Sequence, residues 1–159
     1  MVLLRKKEVN SMTMREFAKH IIATANLNNK KITNLQLQKI MFFSIGMHLR
    51  KHKGIDELVK GLYNVPFEKW DYGPVVESVY YEYNHFGKSE IKDDNAKIKE
   101  EYNVFNSTIL KLLDINVYKM VNVSHQMDSW KNSESKIRNR EYVPPYELED
   151  ILKDFIADE

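Results

Sequence analysis

The chain has 159 residues, 43% of them apolar and 30% charged, which is enough for one domain with its own core and outside the range of disorder. With no cysteine, a disulfide framework, a thiolate metal site and a thiol nucleophile are all excluded. A net charge of +1, with no apolar run long enough for a signal peptide or a bilayer span, points to a soluble, cytoplasmic protein.

Residues 1–11 read as an N-terminal tail, and residues 12–157 as a single domain. The first helix is expected to start at Thr13, which has capping-box spacing to Glu16. Phe17, Ala18, Ile21, Ile22 and Ala25 follow as one apolar stripe, and the polar run Asn26 to Lys31 ends it. A second capping box at Thr33 and Gln36 opens the strongest helix in the chain. Leu37, Ile40, Met41, Ile45 and Leu49 form its face, with Phe42 and Phe43 widening it. Arg50, Lys51 and Lys53 favour the dipole at its C-terminal end, and Gly54 is a natural stop.

Residues 55–72 are less regular. Leu62, Tyr63, Val65 and Phe67 suit a short extended segment, although Pro66 argues against a central strand. Gly73-Pro74 then marks a boundary, with Pro74 placed at the first position of a helix, where its missing N–H costs nothing. Val75, Val76, Val79, Tyr80, Tyr83 and Phe86 continue at helical spacing up to Gly87. Residues 88–101 read as a charged loop. Tyr102, Phe105, Ile109, Leu112 and Leu113 form one more stripe, and Val117, Met120 and Val121 another after a break near Asn116. Residues 131–142 read as a basic loop. Pro144-Pro145 opens a last helix with Leu148, Ile151, Leu152, Phe155 and Ile156 on its apolar face. The expected fold is therefore mainly α, a bundle of about six helices with at most a small β element.

The charge is unevenly spread: +9 over residues 1–53, −5 over 54–103, +2 over 104–146 and −5 over 147–159. Such asymmetry suits either a charged partner or solvated helix faces that cancel in the fold. Catalytic chemistry is not specified. His48 and His52 have helical metal-ligand spacing. They lack the glutamate of a zinc hydrolase, however, and Arg50, Lys51 and Lys53 would repel a cation, so the pair reads as a solvated helix end and no metal is expected. Asp71 and Glu77 flank the Gly-Pro turn as a conceivable acid/base pair, with His85 nearby in sequence, yet Glu77 is better explained by a helix N-terminus. The five glycines are scattered singly, so no phosphate-cradling loop exists. No catalytic residue and no cofactor is expected.

Two segments, ITNLQLQKIMFFSIGMHL from Ile32 and FEKWDYGPVVESVYYEYNHFG from Phe67, resemble the two signatures of the Panacea domain, also known as the SocA-like or phage-associated protein family. The SHQMDSW segment from Ser124 resembles a third and weaker one. Leu37, Lys39, Trp70, Gly73, Pro74, Val75, Tyr80, His125 and Trp130 match the pattern. The resemblance implies a helical, non-catalytic antitoxin that neutralises a separately encoded toxin by direct contact, or delivers it to a protease. Within that reading, Trp70, Tyr72, Gly73, Pro74, Tyr80, Tyr83, Lys39, His125 and Trp130 are the candidate partner-binding residues. Several also have plain structural readings. Lys39 is either a surface lysine, which is favoured, or the partner of a carboxylate such as Asp71. Trp70 and Tyr72 either plug the core or anchor a partner, and His125 packs with Trp130 in a turn. The alternative function is a phage-encoded nucleic-acid-binding regulator, or an inhibitor of a host defence complex, working through the basic N-terminal third.

Overall fold

In the computed structural model, which describes residues 12–157, the chain enters helix α1 (Met14–Leu27) through Thr13, whose Oγ1 accepts the Glu16 N–H at 3.1 Å. The Glu16 carboxylate turns to Lys99 at 2.7 Å, so only the Thr13 half of the expected capping box is recorded. Met14, Phe17, Ala18, Ile21, Ile22 and Ala25 are wholly buried. The tail expected over residues 1–11 lies outside the described residues.

Helix α2 (Asn34–His52) has the complete capping box: Thr33 Oγ1 accepts the Gln36 N–H, and Gln36 Oε1 accepts the Thr33 N–H. Two end-of-helix donors are thereby satisfied. The helix runs through the middle of the molecule, packed by α1 and by several later elements. Even Gln38, Lys39 and Ser44 are buried along it. Its stop is not the glycine. Lys53 takes the left-handed conformation at φ 53°, while the Lys53 N–H reaches the Arg50 carbonyl and the Gly54 N–H the Leu49 carbonyl. These two bonds form a Schellman closure with lysine where glycine is usual.

Helix α3 (Glu57–Leu62) is capped by Asp56, whose Oδ1 accepts the Val59 N–H. The extended segment expected over residues 62–67 is not a strand. Strand β1 (Glu68–Trp70) starts just beyond it and pairs antiparallel with β2 (Gly73–Val75), Trp70 opposite Gly73 and Lys69 opposite Pro74. Pro74 therefore sits in a strand and not at the first position of a helix. Both strands of an isolated pair are edges, where a proline without an N–H is tolerated. Helix α4 (Glu77–Tyr83) begins three residues later, and a 3₁₀ turn (Asn84–Phe86) leads to Gly87 at φ 59°.

A 3₁₀ helix (Glu100–Phe105) leads into α5 (Asn106–Leu113). Helix α6 (Val117–Gln126) is opened by Asn116, whose Oδ1 accepts the Tyr118 N–H. Two short helices, α7 (Asp128–Lys131) and α8 (Glu134–Arg138), follow, the second lying where a loop was expected. Trp130 and Ile137 are buried in them, and one buried residue in a helix of four or five leaves no periodic trace. Helix α9 (Leu148–Ala157) starts three residues beyond Pro145 and lays Ile151 and Phe155 against α2, with Phe155 over Gly46. The fold is mainly α with one two-stranded sheet. Among the described residues it contains nine α-helices rather than about six, because short helices occupy stretches that lack helical periodicity. No described helix is long and apolar enough to cross a membrane.

Candidate functional site

The β1–β2 hairpin is held from below by side chains of distant elements. Lys39 of α2 donates from Nζ to the Pro74 carbonyl at 2.7 Å. Trp130 of α7 donates from Nε1 to the Trp70 carbonyl at 2.8 Å. Gln38 Oε1 accepts the Val76 N–H at 2.9 Å, and Asn34 Nδ2 donates to the Tyr80 carbonyl at 3.1 Å. Four backbone groups of one short segment, residues 70–80, are thus paired with side chains of the core. Each bond is modest by itself, but leaving a buried partner unpaired is costly.

Lys39 is wholly buried, so the expectation of a surface lysine is corrected, as is its pairing with Asp71. Burial pulls its amine down to about 7, because a charge in an apolar interior loses its hydration. Asp71, at the hairpin turn, is met by Arg140 at 3.0 Å and Arg138 at 3.6 Å. Gly73 explains how close the clamp is. It has φ +96°, and a Cβ there would run into Ser124 Oγ and approach Lys39 Nζ. Only glycine suits both the conformation and the space.

Above this clamp lies a groove of about 640 Å³. The hairpin contributes Trp70, Tyr72 and Val75, the first turns of α2 contribute Asn34, Leu35 and Gln38, and Tyr80 comes from α4. Ile137, Arg140 and Val143 line it from α8 and the segment after it. Trp70 is half-buried and meets Tyr80 edge-on with centroids 5.0 Å apart, while Tyr81 stands 5.3 Å from Tyr80 and 6.3 Å from Trp70. Tyr72 and Tyr81 remain 59% and 57% exposed. Large aromatic rings held rigidly at an exposed edge make effective anchors, because little conformational entropy is lost when a partner covers them. Lys69, Lys88 and Arg140 line the groove together with Asp71 and Glu141, so the lining carries charge of both signs.

The nine candidate residues therefore separate by position. Trp70, Tyr72 and Tyr80 line the groove. Gly73, Pro74, Lys39 and Trp130 are buried behind it as parts of the clamp. His125 stacks on Trp130 at 3.8 Å with the rings 20° apart, supporting the ring that holds Trp70. Burial pushes the His125 imidazole below its ordinary range. Tyr83 points elsewhere: its ring is buried, and its hydroxyl donates to Asp93 at 2.6 Å and accepts from Lys19 at 3.0 Å. Burial, with the Asp93 bond, pushes this phenol up to about 12. Lys19 also meets Asp93 at 2.7 Å and Glu82 at 3.1 Å, and Arg15 meets Glu82 at 2.9 Å. Lys30 pairs with Asp114 at 2.7 Å. Three basic residues of the first third, Arg15, Lys19 and Lys30, are matched in this way by carboxylates of later elements.

Sequence reasoning did not place Ile137, Arg140 or Val143 at the groove, nor Tyr81 beside it. Tyr81 adjoins Tyr80 in a tyrosine-rich run, which was a usable signal. Ile137 stands alone among polar residues, Val143 sits between Tyr142 and Pro144, and neither carried one. Of the conceivable acid/base residues, Asp71 is held by the two arginines, whereas Glu77 and His85 are exposed on α4 and the turn after it.

Comparison with known proteins returns one family. The family model described as antitoxin SocA-like, Panacea domain, matches residues 37–131, a span that includes most of α2, the hairpin and the His125–Trp130 stack. No curated protein and no solved structure matches the chain.

Proposed function

Since the chain belongs to the SocA-like antitoxin family with a Panacea domain, we propose that it acts in the cytoplasm by binding and neutralising a partner protein through the aromatic groove. The observation that carries this reading is the pairing of a rigid support with an exposed surface. Lys39, Gln38, Asn34 and Trp130 hold the backbone of residues 70–80, and Trp70, Tyr72, Tyr80 and Tyr81 stand in front of it. A pre-ordered surface binds without first being ordered, so more of the contact energy appears as affinity. Apolar lining with a few polar groups and charges of both signs suits an apolar segment of a partner with polar flanks. The groove accounts for inhibition by occlusion. Delivery of the bound partner to a protease would use the same groove and a second surface.

Co-expression with the product of the neighbouring gene tests the proposal. The wild-type chain should restore growth and co-purify with that product. A Tyr72→Ala, Tyr81→Ala double variant, altering two exposed rings, should remain folded and lose both effects. Full protection by the folded double variant would contradict the groove as the binding surface.

A further inference from the structure

We propose that His48, His52 and Asp56 form a binding site for a divalent transition-metal ion of the zinc, nickel or cobalt kind, joining the end of α2 to the start of α3. Sequence spacing alone offered two histidines four residues apart at a helix end rich in lysine and arginine. The structure adds the third donor. The Schellman closure at Lys53 and Gly54 reverses the chain, so the residue that caps α3 returns to the histidine pair. His48 Nε2 lies 2.6 Å from Asp56 Oδ2, the two imidazole centroids are 4.3 Å apart, and one donor atom from each of the three residues falls within 4.8 Å of the others. Around a tetrahedral ion with metal–ligand bonds of about 2.0–2.2 Å, donor atoms stand roughly 3.4 Å apart, within reach of small side-chain rotations.

The site is also built to hold its donors. His48 is buried rather than a solvated helix end, and its ring packs on Phe105 at 5.0 Å. Asp56 gives one oxygen to the Val59 N–H, which orients the carboxylate and leaves Oδ2 toward the histidines. His52 is exposed, so an ion can enter from solvent and keep water at its remaining position. Two nitrogens and one oxygen suit borderline metals, whereas calcium and magnesium prefer oxygen alone. Arg50, Lys51 and Lys53 lower the affinity without occupying the donors.

The test uses the full, untagged, chelator-stripped chain titrated with zinc chloride, followed by calorimetry and native mass spectrometry, with cobalt as a spectroscopic probe. We expect one ion per chain, a higher melting temperature with zinc, and the visible absorption of a low-coordinate cobalt ion. His52→Ala removes an exposed donor, and Asp56→Asn keeps a good helix cap while removing the charge. Each variant should stay folded and bind zinc at least about tenfold more weakly, a loss at least as large as that from altering a mere supporting group. Absence of bound zinc at one equivalent, or equal affinity in wild type and both variants, would overturn the site.

Discussion

The Lys39 amine lies 2.7 Å from the Pro74 carbonyl, 35 residues further along the chain, and no part of the lysine side chain reaches solvent. Burying an amine is expensive unless a hydrogen bond compensates. The bond is therefore a strong constraint: the hairpin cannot lift from α2 without leaving the amine and the carbonyl unpaired. The four-way hold on residues 70–80, rather than the hairpin's own two-stranded pairing, gives the groove its shape.

Replacing Lys39 tests this constraint. Lys39→Ala should destabilise the fold by about 2–5 kcal/mol, the range for emptying a buried long side chain. The amine falls to about 7 in the fold, against 10.5 as its ordinary value. Between those values the unfolded chain binds one proton more than the folded chain, so the stability of the wild type rises with pH in that window. Urea unfolding should show the wild type gaining on Lys39→Met from pH ~7 to ~9.5, below the ordinary tyrosine range. A difference independent of pH would mean that the amine stays charged in the fold.

Gly73→Ala should cost about 2–5 kcal/mol. That range combines roughly 1–2 kcal/mol for a left-handed non-glycine residue with roughly 1–3 kcal/mol for crowding against Ser124 and Lys39. Thermal melts of the two proteins are sufficient. A change below about 0.5 kcal/mol, the size of an ordinary surface substitution, would show that the hairpin is free to shift away from α6.

Legibility in the sequence followed locality. The capping box at Thr33 and Gln36 and the apolar run behind it identified α2, because both are properties of adjacent residues. Pro74 was misplaced because Gly-Pro before apolar residues at helical spacing fits a helix start and an edge strand equally well. Lys39 was misread for a deeper reason: its partner is a backbone carbonyl, which has no residue type to search for. Trp70, Tyr72 and Tyr80, the aromatic rings that line the groove, stand out in the sequence as residues. Their separation from the buried Trp130 and Tyr83 depended on helix packing that no local pattern encodes. The same holds for Asp56, which joins the histidines only through the reversal at Lys53.

The chain has two tryptophans, and one holds the other. Trp130→Phe keeps a ring against His125 but deletes the donor to the Trp70 carbonyl. A loss of about 1–3 kcal/mol is expected from the missing hydrogen bond and the smaller ring. The remaining emission then belongs to Trp70 alone and should shift to the red as the hairpin loosens. Emission matching that of a fully buried indole would contradict the placement of Trp70 at the groove.

The Lys19 network predicts the acid limb of stability. The Arg15 hydrogen bond leads in holding Glu82 below its ordinary range. Burial opposes ionisation of Asp93, but bonds from Lys19, Tyr83 and the Asn95 N–H outweigh it and leave that carboxyl low as well. Both folded values lie below the unfolded ones, so this stabilisation is complete above the ordinary carboxyl values and is lost as the pH falls through the folded values. Lys19→Met should flatten the decline of stability below pH ~4.5. Identical acid limbs in the two proteins would exclude the network as their source.

Hydrogen–deuterium exchange of the chain alone and in complex with the product of its neighbouring gene tests the central claim most directly. The account predicts new protection in residues 69–75 and 137–143, the two segments facing each other across the groove, with the buried clamp residues of α2 already protected in the free chain. Protection confined to other faces of the molecule, with both groove segments exchanging as before, would contradict it.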